Sequence, residues 1–156
     1  MASIRPPFTF ETATQKVKAA QDLWNTKEPR KVINAYTADC IWRNRTSFMQ
    51  GSDAILIFLT KKWEKEKSYR LRKELFSFTE NRIAVQFWYE YQDSEDDSKW
   101  KRCYGLEDWT FRGDGKMCKR MMSGNDLLLG QNGDGSSRWF LDGIDVNEVE
   151  ISDEHW

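Results

Sequence analysis

A strand-like run that ends in polar side chains is the first candidate for chemistry in this chain. In Cys40-Ile41-Trp42-Arg43-Asn44-Arg45, three residues suited to a buried, pleated surface give way to two guanidinium groups and a carboxamide. Donors at a strand end have two uses. They tie the strand to a carboxylate or a helix C-terminus, or they face a cavity and hold an anionic or carbonyl oxygen. Alternation places Trp42 and Asn44 on one face and Arg43 and Arg45 on the other. On the cavity reading the strand runs from core to cavity mouth, and the Arg45 charge is solvated there.

Groups that could move a proton are carboxylates, tyrosines and lysines. His155 is the only histidine and stands next to last in the sequence. A Ser/His or Cys/His nucleophile pair is therefore not expected, nor is a His-ligated metal; no cofactor is expected either. Asp126, after Asn125, closes a strand-like run and is either a general base or a turn residue. In the run from Arg102 to Phe111, strict alternation groups Arg102 and Tyr104 with Leu106 and Asp108, yet Glu107, Trp109 and Phe111 have the look of a core set. A bulge at Gly105 would switch parity and set Arg102, Tyr104, Glu107 and Trp109 along one wall; a structural Arg–Glu pair is the alternative. Glu74, between residues that alternate toward a packed face, is expected to be buried or in a cross-strand ion pair. Phe87, Tyr89 and Tyr91 alternate on one face, as pocket floor or as plain core.

The elements that must position these groups follow from periodicity. Ala13, Val17, Ala20 and Leu23/Trp24 recur at helical spacing after a possible cap at Thr9 or Thr12. A shorter helix begins near Pro29. After the polar-ended strand, a third helix capped by Ser52 or Asp53 carries Ile55, Phe58, Leu59 and Trp63 on one face. The period then falls to two, and four long strands separated by turn-forming residues read as an antiparallel meander. The fold class is α+β: helices, a short strand, a helix and four strands, with one curved sheet covered by helices on one face.

Composition narrows the setting. With 156 residues the chain suits one compact domain, and 14 % aromatic content with eight tryptophans implies a core or cavity built from rings. A net charge of −1 offers no general attraction to nucleic acid or anionic lipid. Three cysteines without zinc-like spacing, and no apolar run of signal-peptide or membrane length, point to a cytoplasmic protein. Residues 7–132 are expected to form the domain. The tail, 133–156, holds seven acids against the single base Arg138 and is expected to be partly docked or disordered. Trp88 alternates away from Phe87 and Tyr89, and an outer-face tryptophan left bare in a monomer predicts a homodimer.

Several strings together resemble a known family. Trp42-Arg43-Asn44-Arg45, the pattern Arg102, Tyr104-Gly105, Glu107, Trp109 and Phe111, and Asn125-Asp126 are similar to those of a group of unknown function within the nuclear transport factor 2-like, or SnoaL-like, superfamily. The resemblance covers about residues 7 to 140. Leu106 departs from it, standing where the group usually has a polar residue, and near Leu128 the group usually has a proline. The resemblance implies a cone in which the sheet wraps the N-terminal helix and leaves a cavity at its open end. Relatives use that cavity as ketosteroid isomerases, polyketide cyclases and dehydratases, and others perform no chemistry. The expected function is cofactor-independent acid/base chemistry on a small carbonyl or aromatic metabolite. Asp126, Glu107 and Tyr104 are its catalytic candidates. Trp42, Asn44, Arg45, Trp63, Glu74, Phe87, Tyr89, Arg102, Trp109 and Asn125 are its ligand-binding candidates. A non-catalytic binding or dimeric interaction module is the alternative.

Overall fold

The computed structural model describes residues 3–156. Helix α1 (Phe10–Asn25) starts from a reciprocal cap: Thr9 Oγ1 accepts the Thr12 N–H at 3.1 Å, and Thr12 Oγ1 accepts the Thr9 N–H at 2.8 Å. Its buried face carries Ala13, Val17, Gln21 and Trp24. Helix α2 (Pro29–Val32) opens with its proline and runs through a 3-10 turn into strand β1 (Tyr36–Asn44). A two-residue turn leads to β2 (Ser47–Gln50), a short strand that periodicity did not reveal. Helix α3 (Ser52–Lys65) buries Ile55, Leu59 and Trp63; Gly51 (φ 89°), not Ser52 or Asp53, is its N-cap residue. The meander then runs through β3 (Glu66–Phe78), β4 (Arg82–Asp93), β5 (Lys99–Phe111) and β6 (Met117–Leu128).

These strands form one curved, open sheet in the order β2-β1-β6-β5-β4-β3. All neighbours are antiparallel except β1 and β6, which pair in parallel and bring Trp42 level with Arg120. The α+β cone expected from the sequence is the fold observed. Its core lies between the inner sheet face and α1 and α3, where Trp24, Trp42, Trp63, Phe87 and Trp109 meet Val17, Leu59, Leu71 and Val85. No helix among the described residues is long and apolar enough to cross a membrane.

The outer sheet face is covered in part by the chain's own C-terminal segment. Phe140, Val146 and Ile151 pack on Trp88, which is fully buried, and Trp156 meets its ring edge-on at 4.8 Å. The tail has little secondary structure, so its backbone groups find side-chain partners on the sheet. Arg70 donates to the Leu141 and Ile144 carbonyls, Arg72 to Val149 and Arg102 to Ser137. The Glu90 carboxylate accepts the Trp139 and Phe140 N–H groups. Trp88 is therefore not left bare in a single chain, and the argument for a dimer from its exposure falls.

Candidate functional site

At the open end of the cone a cavity of about 370 Å³ lies between the end of β1, the last turns of α3 and the inner faces of β4 and β6. Its wall includes Asn44, Arg45, Lys62, Tyr89, Tyr91 and Asp126. Arg45 arrives there through its backbone. It sits in the left-handed region (φ 58°) just beyond β1, and this turns its side chain onto the same side as Trp42 and Asn44. Arg43 remains on the outside, donating to the Arg45 and Met122 carbonyls at 2.9 Å and to Ser123 Oγ at 3.1 Å. The expected sharing of a face by the two arginines is thus corrected.

Arg45 is tied rather than freely solvated. It pairs with Asp126 Oδ2 at 2.8 Å and donates to the Gly124 carbonyl at 2.7 Å and to Cys103 Sγ at 3.1 Å, with Tyr89 Oη at 3.5 Å. Burial works against its charge, but Tyr89, Cys103 and Asp126 outweigh burial and raise its pKa, so it stays a cation. Tyr91 Oη donates to Asp126 Oδ1 at 2.9 Å. Burial first, and the Asp126 charge next, push the Tyr91 phenol well above its ordinary range, which keeps it a donor to that carboxylate. The Asp126 side chain keeps 30 % of its surface open. Lys62 pairs with Glu66 at 2.6 Å and lies over the Tyr89 ring, 4.2 Å from its centroid.

Behind the cavity a second polar group fills the interior. The Glu107 carboxylate, its side chain 1 % exposed, takes Lys73 on one oxygen; on the other it accepts Arg120 Nε at 2.7 Å and Trp109 Nε1 at 3.0 Å. Burial alone would raise the Glu107 pKa, but Lys73 and Arg120 outweigh it and hold the group at about 2. The Arg120 guanidinium lies over Trp42 (4.3 Å) and Trp24 (4.8 Å), and its NH1 donates to Asn44 Oδ1 at 3.3 Å. Glu107 is locked in this triad, away from the mouth cavity. Neither Lys73 nor Arg120 was singled out from the sequence. Parity held a signal for both: Lys73 stands between inward Leu71 and Leu75, and Arg120 is two residues from inward Met122.

The remaining candidates separate by face. No bulge interrupts β5 at Gly105, whose register with Phe87 and Gly124 is continuous. Alternation therefore holds, with Glu107 and Trp109 inward and Arg102 and Tyr104 outward. Arg102 pairs with buried Glu90 at 2.7 Å beneath the tail, and Tyr104 Oη meets His155 Nδ1 at 2.7 Å. Gly105 is glycine for a steric reason instead. The Phe87 ring lies where a β-carbon would stand, 1.9 Å from the nearest ring atom. Glu74 is also outward, half-buried and paired with Lys18 (3.0 Å) and Arg72 (2.8 Å), while Lys73 takes the inward position. Asn125 lines a separate outer depression with His155 and Trp156. Trp42, Trp63 and Phe87 are core residues packed behind the cavity. What converges at the mouth is Asn44, Arg45, Tyr89 and Asp126, joined by Tyr91 and Lys62. A carboxylate with an open approach, beside fixed cationic and amide donors, can take a proton from a bound molecule and steady the oxyanion that results.

Over residues 6–140 the chain matches a family described as "Protein of unknown function (DUF1348)". Several solved structures share its fold. One is SalBIII, an epoxide hydrolase/cyclase-like enzyme in pyran ring formation in salinomycin, with 10 % identity, a TM-score of 0.66, and 74 % of this chain and 92 % of that one covered. Another is a putative SnoaL-like polyketide cyclase from Shewanella denitrificans, with 11 % identity, a TM-score of 0.62, and 72 % and 90 % covered. A third is an NTF2-like protein of unknown function from Burkholderia pseudomallei, with 15 % identity, a TM-score of 0.64, and 72 % and 90 % covered. At such identities the likeness is one of fold. Comparison with curated proteins gave no match.

Proposed function

From the premise that this chain belongs to the DUF1348 family and has a nuclear transport factor 2-like fold, we propose that it binds a small carbonyl or aromatic metabolite in the mouth cavity and performs cofactor-independent acid/base chemistry on it. The observation that carries this reading is the Asp126 carboxylate, held by Arg45 and Tyr91 yet open to the cavity. In this scheme Asp126 takes a proton from the carbon next to a carbonyl, and the C–H electron pair moves to form an enolate. Arg45 and Asn44 stabilise the enolate oxygen. Return of the proton from Asp126 to another carbon is isomerisation; its delivery to a departing β-hydroxyl, which leaves as water, is dehydration; attack of the carbanion on a second carbonyl, whose oxygen takes the proton, is cyclisation.

The test is exchange of α-hydrogens with deuterium in small ketones without a carboxylate (acetone, acetophenone, 2-tetralone) and with one (levulinate, 3-benzoylpropionate), followed by NMR in D2O. Exchange above the buffer rate is expected, falling by about 100-fold or more in Asp126→Asn. No exchange above buffer across the panel, or full exchange in the variant, removes the scheme. A second reading, a binding module without chemistry, is favoured by the filled interior, where Glu107 is committed to Lys73 and Arg120.

The proposed protein is a homodimer in the cytoplasm. Its three cysteines are all unpaired, as a reducing compartment requires. The contact surface would be the part of the outer sheet face that the tail leaves bare, where Phe76 and Leu106 are exposed beside a shallow depression of about 590 Å³.

A further inference from the structure

We propose that Asn44 is the group that selects the ligand of the mouth cavity, that Arg120 is its positioning residue, and that the ligand selected carries a carboxylate or comparable oxyanion. The inference rests on the reading of this cavity as a binding site and narrows what it binds. The argument begins with the amide. A guanidinium has donors only, so the Asn44 atom facing Arg120 NH1 at 3.3 Å is the oxygen. Arg120 cannot easily turn away: its Nε is bound to Glu107, its plane is held against Trp42 and Trp24, and it is buried. The Asn44 oxygen is therefore occupied from behind. The amide nitrogen has no partner among the described residues, and Asn44 lines the cavity. What the side chain can still offer a ligand is a pair of N–H donors.

The surrounding charge favours the same class of ligand. On the cavity wall Arg45 is matched by Asp126, Lys62 by Glu66 and Lys65 by Glu95, whereas Lys61 has no carboxylate within ion-pair distance among the described residues, so the wall carries four cations against three carboxylates. Behind Asn44, two cations share one anion, Glu107, leaving an excess positive charge in a region screened from water. The one-charge excess on the wall and the excess behind Asn44 favour an anion over a neutral ligand or a cation.

The experiment uses three single-ring probes of similar size: benzoate, benzyl alcohol and benzylammonium. Binding is followed by NMR of the Asn44 side-chain amide, assigned by its loss in Asn44→Asp. Benzoate is expected to bind most tightly and to shift the Asn44 amide pair. Asn44→Asp is expected to weaken benzoate by about tenfold or more, with the melting temperature held or raised because the new carboxylate faces Arg120. Arg120→Lys keeps a charge beside Glu107 but loses the bond to Asn44. Folded Arg120→Lys protein is expected to bind benzoate more weakly, with the Asn44 amide exchanging between orientations. Benzoate that fails to bind wild type, or is held equally well by Asn44→Asp, overturns the inference, as does benzylammonium binding as tightly as benzoate. Its failure is separable from failure of the catalytic scheme. Asn44-dependent benzoate binding without deuterium exchange supports an anion-binding module, and exchange with Asn44-independent binding leaves the scheme and removes the selectivity.

Discussion

Arg45 owes its position to one backbone torsion. In an extended conformation it would point outward with Arg43; in the left-handed region it reaches across the inner face to β6 and closes on Asp126. Because its guanidinium binds a carboxylate, a carbonyl and a thiol, Arg45→Met removes structure as well as charge. Water can replace part of this at a side chain 32 % exposed. The expected cost is therefore about 1–2 kcal/mol, or roughly 2–8 °C in melting temperature. An unchanged melting temperature would show the charge to be solvated, as the sequence led one to expect. Gly105 is the other residue fixed by a single contact. A methyl group there collides with the buried Phe87 ring, so Gly105→Ala should destabilise by about 1–3 kcal/mol. In a Phe87→Leu background the same change should cost much less, and chemical denaturation of the four proteins reads the coupling. Equal costs in both backgrounds would mean that the ring does not set the glycine.

Three strands are fastened together by Glu107 on β5, which holds Lys73 of β3 and Arg120 of β6 in the middle of the core. A buried charge stripped of its partner is far more costly than the intact group is stabilising. Glu107→Gln leaves two buried cations with a neutral acceptor, and a loss of about 3–5 kcal/mol is expected at neutral pH. The sign of the pH dependence follows from the depressed carboxyl. The folded-state pKa of about 2 lies below the ordinary value of 4.5, so the folded state favours the ionised form. This contribution is complete above the unfolded pKa and is lost as pH falls from about 4.5 toward 2. Wild type should thus lose stability across that window more steeply than Glu107→Gln. Unfolding free energies measured at several pH values check it, and parallel acid limbs would contradict the ionised triad.

At the scale of the molecule, the tail makes the outer sheet face a second core. Phe140 is fully buried against Trp88, and three arginines of the sheet bind tail carbonyls. Phe140→Ala should cost up to about 3–5 kcal/mol if the tail stays in place, and less if it lifts away and relaxes. Lifting would expose Trp88, Trp139 and Trp156 together. The expected signature is a red shift in tryptophan emission with new proteolytic cleavage within residues 134–156. Unshifted emission and an unchanged melting temperature would mean that Phe140 does not hold the tail. Light scattering on wild type and variant tests the proposed dimer, since a freed Trp88 adds apolar surface beside Phe76 and Leu106.

Local physics made much of this protein legible before its fold was known. The Thr9 cap, the Pro29 start, the apolar stripe of α3 and the run of four meander strands depend on residues close in sequence, and each appears where the spacing placed it. The α+β class follows from their order, and the cone from the family resemblance. The site was legible in part: Asn44, Arg45, Tyr89 and Asp126 do meet at one cavity. Only tertiary structure could decide the rest. The parallel pairing of β1 with β6 sets Trp42 beside Arg120, 78 residues further on, and it alone sets Arg120 behind Asn44. The facing of β5 was misread because alternation is informative only when one sheet face is wet. Here the tail buries Trp88 and Arg102 and partly covers Tyr104 on the outside, while Phe87, Glu107 and Trp109 are buried within. With both faces covered, the sequence carries no contrast from which to tell them apart.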